Sequence, residues 1–237
     1  ENIFEMETVP DTIVLIGGGV ISLEMATAFL DLGSEVHIVE LAERLIGMED
    51  PLVSSTIEAA LRDRGAHMHT STSIERFDEA LQTAHLTNGD AIIGVDKVLI
   101  GIGRRPKLAG LGLEDAGVDL ARNGIVADDW GRTSVDGVYA VGDVTGNTAT
   151  THGANSIARR TIRAIALPLP KVGNARALPS AVYCRPQITS VGLTMTELDA
   201  LPEIGRIRLV KHLKDIDRGL TDDVEHGFVA VDAERFT

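Results

Sequence analysis

The chain has 237 residues, 44% hydrophobic and 24% charged, enough to bury one large core or two smaller ones. A formal net charge of -13 with no Lys/Arg-rich run argues against nucleic acid as a partner, and Arg159, Arg160 and Arg163 read as one solvated helix face. No apolar run is long enough to cross a bilayer, and a single cysteine excludes a disulfide scaffold and favours a reducing cytoplasmic setting.

Glu1-Asn2-Ile3-Phe4 does not read as a signal peptide. Thr12 to Ile16 is an unbroken apolar run before glycines, as in a central parallel strand covered on both faces. Ile21, Met25, Ala28, Phe29 and Leu32 make one helical stripe, and Gly33 suits its C-terminal stop. Glu35 to Glu40 predicts a second strand. Asp50 then caps a helix whose first turn holds Pro51, whose buried face is Val53, Ile57, Ala60 and Leu61, and which ends at Gly65. Ala66 to Thr70, Ile74 to Phe77, Gln82 to Leu86 and Asp96 to Ile102 predict further strands, with Asn88-Gly89 as a turn between the last two. The order β-α-β-α-β plus a meander predicts an α/β fold of the Rossmann-like, doubly wound parallel kind.

From Pro106 the texture changes to glycine-punctuated, polar sequence. Val138 to Asp143 reads as a short buried strand ending in an acid, and Gly153 to Leu167 as a helix. Pro168, Pro170 and Pro179 mark a linker, and 180–237 reads as β-rich with at most one short helix, near Thr196 to Leu201.

Gly17-Gly18-Gly19-Val20-Ile21-Ser22 follows a strand and opens a helix, which is the dinucleotide fingerprint with serine for its third glycine. Gly17 permits the tight turn. Gly19 lets the backbone approach a pyrophosphate, whose charge rests on helix-terminal N–H groups. Glu40 ends the second strand 23 residues after Gly17, near the spacing expected of the acid that holds an adenine-ribose diol. The alternative reading is an acidic strand end after a plain packing turn.

Three segments in order, Gly17 to Glu24, Gly101 to Pro106 and Thr133 to Asp143, resemble the class I pyridine nucleotide-disulfide oxidoreductases, the dihydrolipoamide dehydrogenase branch most of all. Pro179 to Pro186 and Ser190 to Thr194 resemble the start of that family's dimerisation domain. The resemblance implies an NAD-binding domain at 1–106, the C-terminal part of an FAD-binding domain at 107–178, and a partial α+β dimerisation domain at 179–237. It implies that Gly17, Gly18, Gly19, Val20, Ile21, Ser22 and Glu24 wrap the NAD pyrophosphate, with Glu24 toward the nicotinamide end. Glu40 would hold the adenine ribose, Ile74 would lie beside the adenine, and Gly103 would pass close to the cofactor. NADP-using relatives carry arginines where this chain has Glu40 and Ile46, so NAD is favoured. Asp143 would bond the ribityl chain of FAD, and Ala149, Thr150, Thr151 and His152 would lie against the flavin, although a helix-start role for His152 is the competing reading.

The resemblance further implies a homodimer, membership of a 2-oxoacid dehydrogenase complex, and electron transfer among NAD(H), FAD and a dithiol. The family's first FAD fingerprint and its cysteine pair belong upstream of this sequence, and its histidine–glutamate acid/base pair downstream. No catalytic residue is therefore expected in this chain, which by itself should be inactive. A transhydrogenase or quinone reductase of the same superfamily, or a non-catalytic NAD-binding module, are the alternatives.

Cys184 reads as a passive buried thiol in a strand. His67 and His69 share one strand face as metal ligands do, but no third ligand is evident and no metal is assigned. His37 reads as structural, and Asp222, Asp223, Glu225 and His226 as a solvated loop.

Overall fold

A computed structural model describes residues 2–78, 80, 82–146, 150–167, 179–193, 195–200 and 206–234. They divide into two compact units: 1–102 with 182–188 and 194–237, and 103–181 with 189–193.

The first unit is built on a four-stranded parallel sheet. Its strands are β1 (Thr12–Ile16), β2 (Glu35–Val39), β3 (His67–His69) and, fourth in the sheet, Lys97–Ile100, in the spatial order β3, β2, β1, Lys97–Ile100. The helices α1 (Val20–Asp31) and α2 (Pro51–Asp63) connect β1 to β2 and β2 to β3. Between β3 and the fourth strand lie β4 (Ile74–Phe77), β5 (Thr83–Leu86) and β6 (Ala91–Ile93), an antiparallel meander; the fourth strand of the parallel sheet is therefore β7.

Side-chain alternation decides the layers. Ile13, Leu15, Val36 and Ile38 point to one face, where Leu23, Ala26, Phe29, Ile57 and Leu61 of the two helices close over them. Val14 and Val39 point to the other, against Ala84, Leu86, Ile92 and Val95. A run of apolar residues is what a strand buried on both faces requires. Asp96 ties the start of β1 to the approach of β7: Thr12 N donates to its Oδ2 at 2.9 Å, and Asp96 N donates to Thr12 O at 3.0 Å.

The helix ends follow the sequence reading. Asp50 Oδ1 accepts from Leu52 N at 2.8 Å, Pro51 occupies the first turn, and Gly65 takes φ +92° just past the end. Ser34 N closes the end of α1 onto Phe29 O at 2.9 Å.

The second unit is less regular. Its small core is Val118, Ile125 and Ala140, with Leu108, Leu113, Val135 and Val144 against them. It holds the hairpin β8 (Leu120–Ala121) and β9 (Gly124–Ile125), a 3-10 turn at Gly142–Thr145, and α3 (Thr151–Ala166). The hairpin of β10 (Pro179–Val182) and β11 (Ile188–Val191) has its turn in the first unit and its open end in the second. The short helices α4 (Met195–Asp199) and α5 (Asp217–Thr221) alternate with β12 (Arg206–His212) and β13 (Phe228–Glu234), an antiparallel pair.

Four expectations are corrected. Val138 to Asp143 is not a buried strand: only Tyr139 bridges, to Arg132, and Gly142 at φ +78° turns the chain into the 3-10 segment. No strand is expected between the Asn88-Gly89 turn and Asp96, yet β6 pairs with β5 there; its three residues are too few to show alternation. α3 begins at Thr151, because the Thr150 hydroxyl accepts from Gly153 N at 3.3 Å and caps the helix early. Cys184 lies between β10 and β11 rather than in a strand. Tyr183 N and Arg185 N donate to Glu24 and Thr27 side chains of α1 instead of a ladder, and Pro186 has no N–H to offer one. Pro168 and Pro170 lie outside the described residues.

Asp50 also pairs with Arg208. Replacing Asp50 by Ala is expected to cost about 1 kcal/mol through the lost cap, while Asn, which still accepts from Leu52 N, costs clearly less. Chemical denaturation followed by circular dichroism measures both; equal losses would place the effect in the ion pair instead.

Candidate functional site

The C-terminal end of β1 runs into the glycine turn, and each glycine there does something different. Gly17 has φ +98°, and a Cβ on it would stand 2.7 Å from the carbonyl oxygen of Gly101. Its N–H donates to Val39 O at 2.8 Å, so the turn joins β1, β2 and the end of β7. A Cβ on Gly18 would press into Leu45 at 2.6 Å. Gly19 is the N-cap of α1, with φ -85° and ψ -174°, no side chain caps it, and a Cβ there would meet nothing within 4 Å. Two of the three glycines are thus filled against protein. The third faces open space at the positive end of a 12-residue helix.

Ser22, in the place of the third fingerprint glycine, is fully buried, and its Oγ has no partner among the described residues. Gly101 makes the room: a Cβ on Gly101 would be 2.5 Å from that Oγ. Val20 and Ile21 follow on the exposed first turn.

Glu40 stands beside the turn. Its Oε2 accepts from Gly18 N at 2.5 Å and its Oε1 from Ala42 N at 2.7 Å. Two carboxylate oxygens offer about four lone-pair sites, so capacity for further donors remains. Ile46 donates its N–H to Gly18 O at 2.8 Å, takes φ +45°, and buries its side chain in the helix-side core. Ile74 packs against the meander core. Glu24, half-buried on α1, accepts from Tyr183 N at 3.0 Å.

Gly103 belongs to the second unit, with φ +115° and open space where a Cβ would go. There Asp143 sits on the 3-10 turn, half exposed and 3.3 Å from Arg104 Nη1. Thr150 and Thr151 form the start of α3. His152 follows, with Nε2 buried and without a hydrogen-bond partner among the described residues. Ala149 lies outside the described residues.

The structure brings together histidines that the sequence left apart. β2 and β3 run in register, His37 beside His67 and Val39 beside His69. His37 stacks on His67 with centroids 4.6 Å apart and lies 5.4 Å from His69. Glu35, two residues before His37 and so on the same face, reaches both His37 Nε2 (3.1 Å) and His67 Nε2 (3.5 Å). Burial first, then the neighbouring rings, hold His37 and His69 below the ordinary imidazole value, with Glu35 and Asp90 respectively opposing. The pairing of β2 with β3 is the missed signal. In the loop near β13, His226 Nε2 pairs with Asp63 at 2.6 Å and Asp222 with Arg218 at 2.7 Å, so that segment is engaged by its neighbours.

The pyridine nucleotide-disulphide oxidoreductase family matches residues 1–158. A dihydrolipoyl dehydrogenase of Bacillus subtilis is 34% identical over 211 residues, 86% of this chain and 44% of that protein. One of Chlamydia pneumoniae is 31% identical across 99% of this chain and 51% of that protein. Among solved structures, LpdA of Mycobacterium tuberculosis superposes with a TM-score of 0.86 at 26% identity, covering 99% of this chain and 51% of that one. The flavoprotein disulfide reductase RclA of Escherichia coli gives 0.84 at 25% identity, over 98% and 54%. The chain spans about half the length of the relatives it matches.

Cys184 is 4% exposed and its thiol is pushed up to about 11 from an ordinary 9.0, chiefly by burial, with Glu24 adding and backbone hydrogen bonds opposing. Its thiolate fraction at pH 8 is then about 100-fold below that of a free thiol. Because the folded value is raised, the folded state favours the protonated thiol, and its stabilising share is lost as pH climbs from about 9 through about 11. Ellman's reagent at pH 8 is expected to react at least 100-fold more slowly with the folded chain than with the denatured one. Equal rates would mean an accessible, activated thiol.

Proposed function

The chain belongs to the pyridine nucleotide-disulphide oxidoreductase family, and from that premise we propose that its first unit holds the NAD(H) of a dihydrolipoamide dehydrogenase-like flavoenzyme. The observation that carries this reading is the junction at the end of β1: Gly17 and Gly18 are filled by protein, Gly19 opens onto the N-terminus of α1, and Glu40 clasps the same turn. Such a cradle fits a dinucleotide. Gly17 to Ser22 line the pyrophosphate, and the first-turn amides of α1 share its charge. The remaining lone pairs of Glu40 accept the ribose hydroxyls and repel a 2′-phosphate. Position 46 holds a buried isoleucine, so no arginine stands there to compensate. Ile74 borders the adenine, Glu24 lies toward the nicotinamide end, and Gly103 passes close to the cofactor.

We assign 1–106 as the NAD-binding domain, 107–178 as part of the FAD-binding domain and 179–237 as part of the dimerisation domain. Asp143, Ala149, Thr150, Thr151 and His152 are the proposed FAD contacts; the buried Nε2 of His152, unpartnered among the described residues, supports a polar ligand there. Held by these residues, NAD(H) and FAD would supply two-electron redox chemistry directed at a disulfide. Relatives named dihydrolipoyl dehydrogenase and flavoprotein disulfide reductase favour that route over a transhydrogenase or quinone reductase. One cysteine forms no internal disulfide, so this chain by itself does not turn over lipoamide. A homodimer fits the β12–β13 ribbon, where Leu209, Val229 and Val231 on one face are all more than half exposed. Cytoplasmic location and service within a 2-oxoacid dehydrogenase complex complete the proposal.

NAD(H) is expected to bind more tightly than NADP(H) in calorimetric titration. Glu40→Gln, which keeps one acceptor for the Gly18 amide but loses the charge, should narrow the gap at a cost of about 1.5–3 kcal/mol in NAD binding. Tighter NADP(H) binding by the parent chain would overturn the assignment. Glu40→Ala is the poorer test, because it also strips two backbone amides of their acceptor.

Gly19→Val should fold, since its backbone is extended and its surroundings empty, yet lose NAD(H) binding. Gly17→Val should not fold. Circular dichroism with an NADH fluorescence titration reads both, and retained affinity in Gly19→Val would reduce the turn to a packing device.

A further inference from the structure

On the meander side of the parallel sheet, β2 and β3 bring four metal-binding side chains to one patch. Glu35 and His37 come from alternate positions of β2, and His67 and His69 from alternate positions of β3. We propose that Glu35, His37 and His67 form a binding site for a borderline divalent transition metal of the zinc class, with His69 as the hydrogen-bonded partner that orients His37.

The distances suit a shared ion. Zinc bonds of about 2.0–2.1 Å on a tetrahedron put neighbouring donor atoms about 3.3 Å apart. Glu35 Oε1 stands 3.1 Å from His37 Nε2 and 3.5 Å from His67 Nε2. The three donors lie within 4.8 Å of one another, and the side chain of His67, about half exposed, can turn to close the remaining edge. Two imidazoles and one carboxylate are a donor set that zinc, nickel and copper accept and that magnesium and calcium do not favour.

His69 supplies the outer contact that metal-bound histidines usually have. Its Nε2 is 3.1 Å from His37 Nδ1. When His37 Nδ1–H donates to His69, the lone pair on His37 Nε2 points at a carboxylate oxygen, and an ion between them removes that repulsion. Without metal the protons reverse: His37 Nε2–H donates to Glu35, and His69 donates to His37 Nδ1. The same atoms thus serve both states, and the ion replaces one proton.

The ion would tie the edge strand β3, three residues long, to β2. None of Glu35, His37, His67 and His69 is assigned to the nucleotide, and only the His69 carbonyl, which accepts from Glu40 N at 2.8 Å, adjoins such a group, so this inference does not rest on the proposed function. Asp63, Glu225 and His226 make a second cluster of metal-ligating types. That cluster offers one imidazole and two carboxylates, a harder donor set that suits a zinc-class ion less well, so it serves as the internal control.

The test uses the 237-residue chain without an affinity tag. Zn2+ is titrated calorimetrically, and Co2+ is followed by its visible absorption. One Zn2+ per chain is expected, with tetrahedral Co2+ bands and a melting temperature that rises with Zn2+. Glu35 and His67 are both about half exposed, so the double variant Glu35→Ala/His67→Ala keeps the core intact. It should bind Zn2+ at least tenfold more weakly, lose the Co2+ bands, and bind NADH like the parent in metal-free buffer. Unchanged Zn2+ affinity in this variant overturns the proposal, as does loss of the site in His226→Ala alone.

Discussion

At Gly17 and Gly101 two backbones meet too closely for a side chain to lie between them. A Cβ on the first would stand 2.7 Å from the carbonyl oxygen of the second, and a Cβ on the second 2.5 Å from Ser22 Oγ. This contact gathers the ends of β1 and β7, while the Gly17 amide bonds β2 at Val39. With three strand ends fixed, the chain can leave only along α1, and Gly19 is turned outward at its N-terminus. The nucleotide cradle follows from that contact. Ser22 belongs to the same arrangement: the family's usual third glycine gives space to α1, whereas here Gly101 gives it from the other side.

The two faces of the parallel sheet have different chemistry. Toward α1 and α2 the sheet presents Ile13, Leu15, Val36 and Ile38, and burial of groups such as Leu61 contributes roughly 1.5–3 kcal/mol each. Toward the meander the apolar patch holds Val14, Ile16 and Val39, while the neighbouring positions of β2 and β3 carry imidazoles and a carboxylate. A polar patch survives there because its groups satisfy one another; the His37 ring, 9% exposed, has a partner at each nitrogen.

What could be read from the sequence was local. The apolar run of β1, the Asp50 cap, the Gly65 stop and the Gly17–Gly19 turn each express themselves within a few residues, and each stands where it was expected. What could not be read depended on distant partners. Val138 to Val141 has the composition of a buried strand, but only Ala140 finds cover. Cys184 sits among strand formers, yet the amides beside it are claimed by α1, more than 150 residues earlier. α5 has no apolar stripe and carries Gly219 in its middle. His37 and His67 are 30 residues apart, and only strand register makes them neighbours.

The hold of α1 on the β10–β11 turn bears on the order of assembly. Glu24 and Thr27 accept from Tyr183 and Arg185, and Val182, Cys184 and Ile188 complete the apolar layer under α1 and α2. A chain emerging from its N-terminus has the whole parallel sheet in hand long before this plug is synthesised. Until then the helix face stays open, with a half-buried carboxylate lacking its amide. Closing so long a loop late is slow and entropically costly. Interrupted synthesis would therefore release a molecule with native strands and a sticky, unfinished flank.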